Sequence, residues 1–310
     1  MKPSQQSRLY GLNKYLLNIV KLYDNKMMPN KILFSGKKGS GKSTLAYHII
    51  NYIFSKNEDD KYELKKFTIN KNNRSFNLIK NSSHSNFYLI DLIDDKKNIE
   101  INQIRQMINY TNKSSFNLLP KLILIDNIEN LNKNSTNALL KIIEEPNDNT
   151  FFILINNNSK NILPTLKSRC INYKIDLNFD ETIAITNLIL NKNLYELINE
   201  ELIHYYNTPG YFINLLDFAK DKKIDLKEYS LTKFLLFLID NGLYKKNKFI
   251  KELIISNIEL FFLKKFKISK TKNKFLDIYY DFIRKINDTN KFNLDEESLF
   301  MEFRSKLLNE

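Results

Sequence analysis

Apolar positions in the first 177 residues alternate between two rhythms. Leu9, Leu12, Leu16, Ile19, Val20 and Tyr23 stand at helical spacing until Met27-Met28-Pro29-Asn30 breaks the pattern. The run Lys31-Ile32-Leu33-Phe34-Ser35 reads as a strand, and Thr44 to Ile50 returns to a helix. Asn57 to Asn86 is polar, charged and weakly patterned, which predicts an irregular excursion or insert. A short strand is expected over Phe87 to Ile90, followed by a helix over Ile99 to Tyr110 with Ile101, Ile104, Met107 and Ile108 on one face. Leu122 to Ile125 and Phe151 to Ile155 are continuous apolar runs, the pattern of strands buried on both faces of a parallel sheet. Between them lies a helix, Asn137 to Glu145, with Asn134-Ser135-Thr136 as its candidate cap and Pro146 as its stop. Cys170 to Ile175 reads as the last strand. This alternation specifies an α/β fold whose ligand chemistry sits at the carboxyl ends of the strands.

Beyond residue 177 the strand signals fade and helical patterns dominate, including a broad apolar face from Phe249 to Phe262. A turn at Thr208-Pro209-Gly210 and polar residues at Asp221-Lys222-Lys223 divide this helical remainder in two. The expected organisation is therefore 1–177, 178–222 and 223–310.

Composition narrows the class. The chain has 310 residues, 43% of them hydrophobic, enough for more than one core. No apolar stretch approaches the roughly eighteen residues that span a bilayer, and the first residues lack a signal peptide's apolar segment, so no membrane partner and a cytoplasmic location are expected. A single cysteine, Cys170, allows no internal disulfide, and with three scattered histidines it builds no zinc module. The net charge of +13 is compatible with a polyanionic partner, but the lysines are spread along the chain and most belong to solvated faces.

The chemistry is concentrated at Gly36-Lys37-Lys38-Gly39-Ser40-Gly41-Lys42-Ser43, a complete G-x-x-x-x-G-K-[ST] phosphate loop between a strand and a helix. Three of the chain's six glycines lie in it. They let the backbone curl so that successive N–H groups, through Thr44, face phosphate oxygens at a helix N-terminus. Lys42 is expected to reach the β- and γ-phosphates of ATP, and Ser43 to ligate Mg²⁺. A second metal-organising group is needed at the end of another strand, and Asp126 stands there after Leu122 to Ile125. The next residue is Asn127, whose amide accepts no proton at neutral pH, so it offers no general base. Glu129 lies two residues on, where a strand or turn offset aims it away from the part of a substitute base.

Three further blocks follow in order: Asp126-Asn127-Ile128-Glu129-Asn130-Leu131, Asn137 to Pro146, and Leu163-Pro164-Thr165-Leu166-Lys167-Ser168-Arg169-Cys170. Together with the phosphate loop they resemble the bacterial DNA polymerase III clamp loader, most closely its delta-prime subunits, over about the first 175 residues. Leu9-Tyr10-Gly11 resembles the family's N-terminal box beside the adenine. The resemblance implies an AAA+ nucleotide-binding domain (1–177), a helical lid (178–222) and a helical oligomerisation collar (223–310). It implies that Asn157, or Asn156 one register earlier, is a sensor of the γ-phosphate or attacking water. It also implies that Arg169 is an arginine finger entering a neighbouring subunit's ATP site. The partners implied are other clamp loader subunits, the sliding clamp and, through the complex, primer-template DNA.

The chain departs from that pattern in three places. Asn127 replaces the catalytic glutamate, Gly210 or a neighbour stands where motor subunits carry a second sensor arginine, and Asn57 to Asn86 occupies the region of a cysteine-rich zinc insert. The resulting expectation is a subunit that binds ATP with weak or no hydrolysis and donates Arg169 during clamp loading. The alternatives are a self-sufficient AAA+ motor of a clamp loader or repair complex, and a phosphate-loop kinase.

Overall fold

The computed structural model describes residues 2–93, 96–113, 119–245, 248–268, 272–292 and 294–307. It divides into two compact units, Met1–Asn191 with Thr208–Asn214, and Lys192–Asn207 with Leu215–Glu310.

The first unit is built on five strands, β1 (Lys31–Ser35), β2 (Phe87–Ile90), β3 (Lys121–Ile125), β4 (Thr150–Asn156) and β5 (Ile171–Lys174). Their spatial order is β2-β3-β4-β1-β5 and every pairing is parallel. The register sets Ser35 beside Asn156 and Ile125 beside Leu154, so β1 and β4 end together and β3 ends two residues short of them. Alternate residues face opposite sides. Leu122, Leu124, Ile153 and Ile155 pack with α1 (Asn13–Asp24) and α2 (Lys42–Ser55). Ile123, Ile125, Phe152 and Leu154 pack with α4 (Ile101–Thr111) and α5 (Lys133–Glu144) on the other side. Both faces are dry, which is why these strands read as unbroken apolar runs; each buried Ile or Leu contributes about 1.5–3 kcal/mol. β5 has only β1 beside it, and Ile171, Asn172 and Lys174 are exposed.

The local differences from the sequence reading have physical causes. The first helix starts at Asn13, because Gly11 turns the backbone to φ +72° and Leu9 is instead held by its N–H to Phe67 O. α5 is capped by Asn132, whose side chain accepts from Ser135 N, one turn earlier than expected. The stretch 57–86 is largely turns and loop, as its weak patterning predicts, but it is held by its own contacts. It contains α3 (Arg74–Lys80), and its polar residues satisfy one another: buried Asn73 donates to Glu58 and to Asp60 O and accepts from Phe76 N and Asn51. Hydropathy patterning is blind to a core built from amides. Residues 208–210 open α9 (Pro209–Lys222) rather than forming a free turn, with Pro209 at a first-turn position where no N–H is required. Between these stretches α6 (Pro164–Lys167) and α7 (Phe179–Leu190) complete the first unit, and Ile185 of α7 fills the space over Gly11.

The second unit holds α8 (Leu194–Leu197), α10 (Leu231–Asp240), α11 (Lys248–Ile268), α12 (Lys272–Phe292) and α13 (Glu296–Leu307). Phe262, Phe282 and Phe303 meet at ring separations of 5.6–6.2 Å, so the broad apolar face of α11 is core. Among the described residues no helix is long and apolar enough to cross a membrane.

Candidate phosphate-binding site

The loop between β1 and α2 wraps its own lysine. Lys42 Nζ donates to Gly36 O at 2.9 Å, to Lys37 O at 2.6 Å and to Ser40 Oγ at 3.3 Å. Its burial pushes the ammonium down to about 8, against the pull of the Asp126 and Glu129 carboxylates. A buried cation on carbonyl oxygens is a group suited to exchanging those partners for a stronger anion.

The second half of the site comes from the strand ends. Ser43 Oγ donates to Asp126 Oδ2 at 2.5 Å, and Asp126 Oδ1 accepts from Asn127 N at 2.8 Å. Burial is the main cause that raises the Asp126 carboxyl, and the charge of Asp91 adds to it, while Ser43, the Asn127 N–H and Lys42 oppose. Ser43 and Asp126 thus present adjoining oxygen donors, the hard ligands that Mg²⁺ takes.

Asn127 sits in the left-handed region at φ +56°. Its Nδ2 donates to Asp91 Oδ1 at 2.7 Å and its Oδ1 accepts from Asn157 Nδ2 at 2.9 Å, linking the ends of β2, β3 and β4. Glu129 does not line the cavity; its carboxylate accepts from Asn157 N at 3.1 Å and from Ser159 Oγ at 3.0 Å. It braces the turn after β4.

A cavity of about 400 Å³ opens over these groups. Lys38 to Thr44, Asp126, Asn127 and Asn157 form one wall. Leu9, Tyr10, Leu12, Ile185 and Ile189 form an apolar wall, with Lys2, Gln6 and Arg8 at its margin and the Arg8 guanidinium 5.3 Å from the Tyr10 ring centre. Its size and its split into a polar and an apolar side suit a nucleotide.

Of the residues expected at the site, Gly39, Ser40, Gly41, Lys42, Ser43, Thr44, Lys38, Asp126 and Asn157 meet at this cavity. Gly36 and Lys37 serve it through the carbonyls that hold Lys42. Asn156 is buried and accepts from Asn158 N, so Asn157 is the asparagine that faces the cavity. Arg169 lies apart from it, at the end of α6, where Nη2 pairs with Glu144 Oε1 at 2.5 Å and Nη1 donates to Thr165 O at 2.9 Å. Sequence reasoning missed Asp91 and Thr208. Asp91 carried a signal, since it follows its strand as Asp126 follows β3.

A family model described as DNA polymerase III, delta subunit, matches residues 12–178, more than half of the 310 residues. The delta' subunit of DNA polymerase III from Pseudomonas aeruginosa is 31% identical over 94 residues, covering 30% of this chain and 29% of that protein. The gamma subunit from Buchnera aphidicola subsp. Schizaphis graminum is 33% identical over 187 residues, covering 59% and 48%. The chain therefore spans less than half the length of these relatives. A gamma subunit-related protein of solved structure from Thermotoga maritima is 19% identical, with a TM-score of 0.45, over 86% of this chain and 77% of that one. With the intact phosphate loop and the acidic strand end in place, the match over residues 12–178 means that the chain belongs to the DNA polymerase III delta-subunit family, a family of clamp-loader subunits in DNA replication.

Proposed function

We propose that this chain is a delta-prime-like clamp loader subunit that binds Mg·ATP with little turnover and supplies Arg169 to the ATP site of a neighbouring motor subunit. The observation that carries the reading is the state of Asn127. The phosphate loop, Ser43 and Asp126 are assembled for binding, while the position that holds the catalytic glutamate in motors is an amide tied to Asp91 and Asn157. Bound Mg²⁺ supplies charge neutralisation at the phosphates. Lys42 and the loop N–H groups would bind phosphate oxygens, Ser43 and Asp126 would hold the metal, and Asn157 would serve as the sensor of the terminal phosphate. Among the described residues, no carboxylate lining the cavity is free of the metal pair to take a proton from water.

Arg169 fits the donor role because it does not line its own cavity and it pairs with Glu144, an exposed carboxylate. An exposed pair of this kind is worth about 0–1 kcal/mol, little hindrance to re-pairing with phosphate charge in another subunit. In this reading residues 1–177, 178–222 and 223–310 act as nucleotide-binding domain, lid and collar. The complex works in the cytoplasm and places a sliding clamp on primer-template DNA, whose affinity for the complex falls with salt.

The test is ATP binding and turnover by the purified chain, alone and mixed with a motor subunit. Micromolar binding, negligible turnover alone and stimulated turnover on mixing are expected. Vigorous turnover by the chain alone refutes the reading in favour of a self-sufficient motor.

A further inference from the structure

The phosphate loop is met by the segment that opens α9, whose residues 208–214 belong to the same compact unit and of which Pro209, Gly210, Ile213 and Asn214 line the cavity beside the loop. Thr208 Oγ1 donates to Lys38 O at 2.9 Å and accepts from Tyr211 N at 3.3 Å, and Gly210 N donates to Gly39 O at 2.9 Å. We propose that Thr208 and Gly210 are positioning residues that brace the loop through its Lys38 and Gly39 carbonyls, at one edge of the cavity, and hold it in the shape that receives a nucleoside triphosphate. The proposal rests on the ATP-binding reading above.

The argument is one of complementary needs. A loop that turns its N–H groups toward phosphate turns carbonyls the other way, where donors can hold them in place. A helix start has the converse excess, with N–H groups that find no partner inside the helix. Here two consecutive loop carbonyls, those of Lys38 and Gly39, take one hydroxyl and one N–H from the helix start. Pro209 has no N–H, so Gly210 is the first residue of α9 able to donate one.

The fit is too close for side chains. A Cβ on Gly210 would stand 2.7 Å from Gly39 Cα, and one on Gly39 would stand 2.5 Å from Thr208 Oγ1. The segment that carries an arginine in motor subunits is thus committed here to contact with the loop backbone.

The experiment uses the full chain and its variants Thr208→Val, Thr208→Ser and Gly210→Ala, with ATP affinity, amide hydrogen exchange of the loop and melting temperature as readouts. Alanine is a better helix former than glycine, so if α9 mattered only as a helix, Gly210→Ala would leave affinity unchanged and raise the melting temperature. The brace predicts roughly tenfold or greater weakening of ATP binding in Thr208→Val and Gly210→Ala. It also predicts faster exchange across 36–44 in the free variants, with Thr208→Ser behaving as wild type. Unchanged ATP affinity in Thr208→Val and Gly210→Ala overturns the proposal, as does an equal loss in Thr208→Ser. If the wild-type chain binds no ATP, the reading under Proposed function fails, and the exchange comparison alone then upholds or overturns the brace.

Discussion

Asn157 donates its side-chain amide to the side-chain carbonyl of Asn127 at 2.9 Å, joining the carboxyl ends of two adjacent parallel strands. The bond places Asn157 and Asn127 in one relay that ends on Asp91. Asn127 is therefore a structural cross-link between strand ends.

Restoring a glutamate at that position does not suffice. Asn127→Glu sets a second carboxylate against Asp91, whose Oδ1 now lies 2.7 Å from the Asn127 amide nitrogen. The expected result is a loss of about 1–3 kcal/mol of stability with no gain in hydrolysis. Adding Asp91→Asn supplies a donor in place of the repelling charge. The double variant should regain most of the stability and exceed Asn127→Glu in ATP turnover by about tenfold or more, as measured by denaturant unfolding and a phosphate-release assay.

Arg169→Ala should change the stability of the isolated chain by less than about 1 kcal/mol, since its pair with Glu144 is solvent-exposed. It should leave ATP binding by this chain intact while lowering the ATPase of the reconstituted complex by about 10³-fold. Complex activity that survives the substitution removes Arg169 from the role of finger.

Acid stability should reflect two buried imidazoles. Burial pushes both His48 and His84 down to about 4 from the ordinary 6.5. His48 Nε2 faces Gln6 O and its Nδ1 faces the Tyr62 hydroxyl, an arrangement a neutral ring satisfies by donating to the first and accepting from the second. Between pH 6.5 and 4 the unfolded chain binds protons that the folded chain refuses, so their contribution is complete above 6.5 and is lost as pH falls. His48→Gln should make the fall in unfolding free energy from pH 6.5 to 5 shallower by up to one proton's slope, read from urea titrations at each pH.

The segment 57–86 should behave as folded structure. Asn73 is fully buried and joins Asn51, Glu58, Asp60 and Phe76 through its side chain. Asn73→Ala strands these groups and is expected to cost about 2–4 kcal/mol in urea unfolding. A cost near zero would mean that the segment contributes nothing to the cooperative unit.

Much of this protein was legible in one dimension because the determining forces are local or periodic. An unbroken apolar run announces itself when both faces of a strand are dry, and β3, with Leu122, Ile123, Leu124 and Ile125 all buried, is such a case. Lys42, Ser43 and the glycines act through backbone geometry within a few residues, and Asp126 is marked by the strand it follows. Polar packing leaves no comparable trace. The 57–86 network and the Asn132 cap depend on which amide meets which carbonyl, and hydropathy assigns all such residues the same value.

Residue type at short range was enough to dictate the parallel sheet, the phosphate loop and the loss of a carboxylate beside Asp126. It took folding in three dimensions to make Asn127 answer to Asp91 and Asn157, to turn Asn157 rather than Asn156 to the cavity, and to close Thr208 on Lys38 across 170 positions. Those choices depend on strand order and helix placement, which bring distant polar groups within about 3 Å of one another, where a hydrogen bond forms.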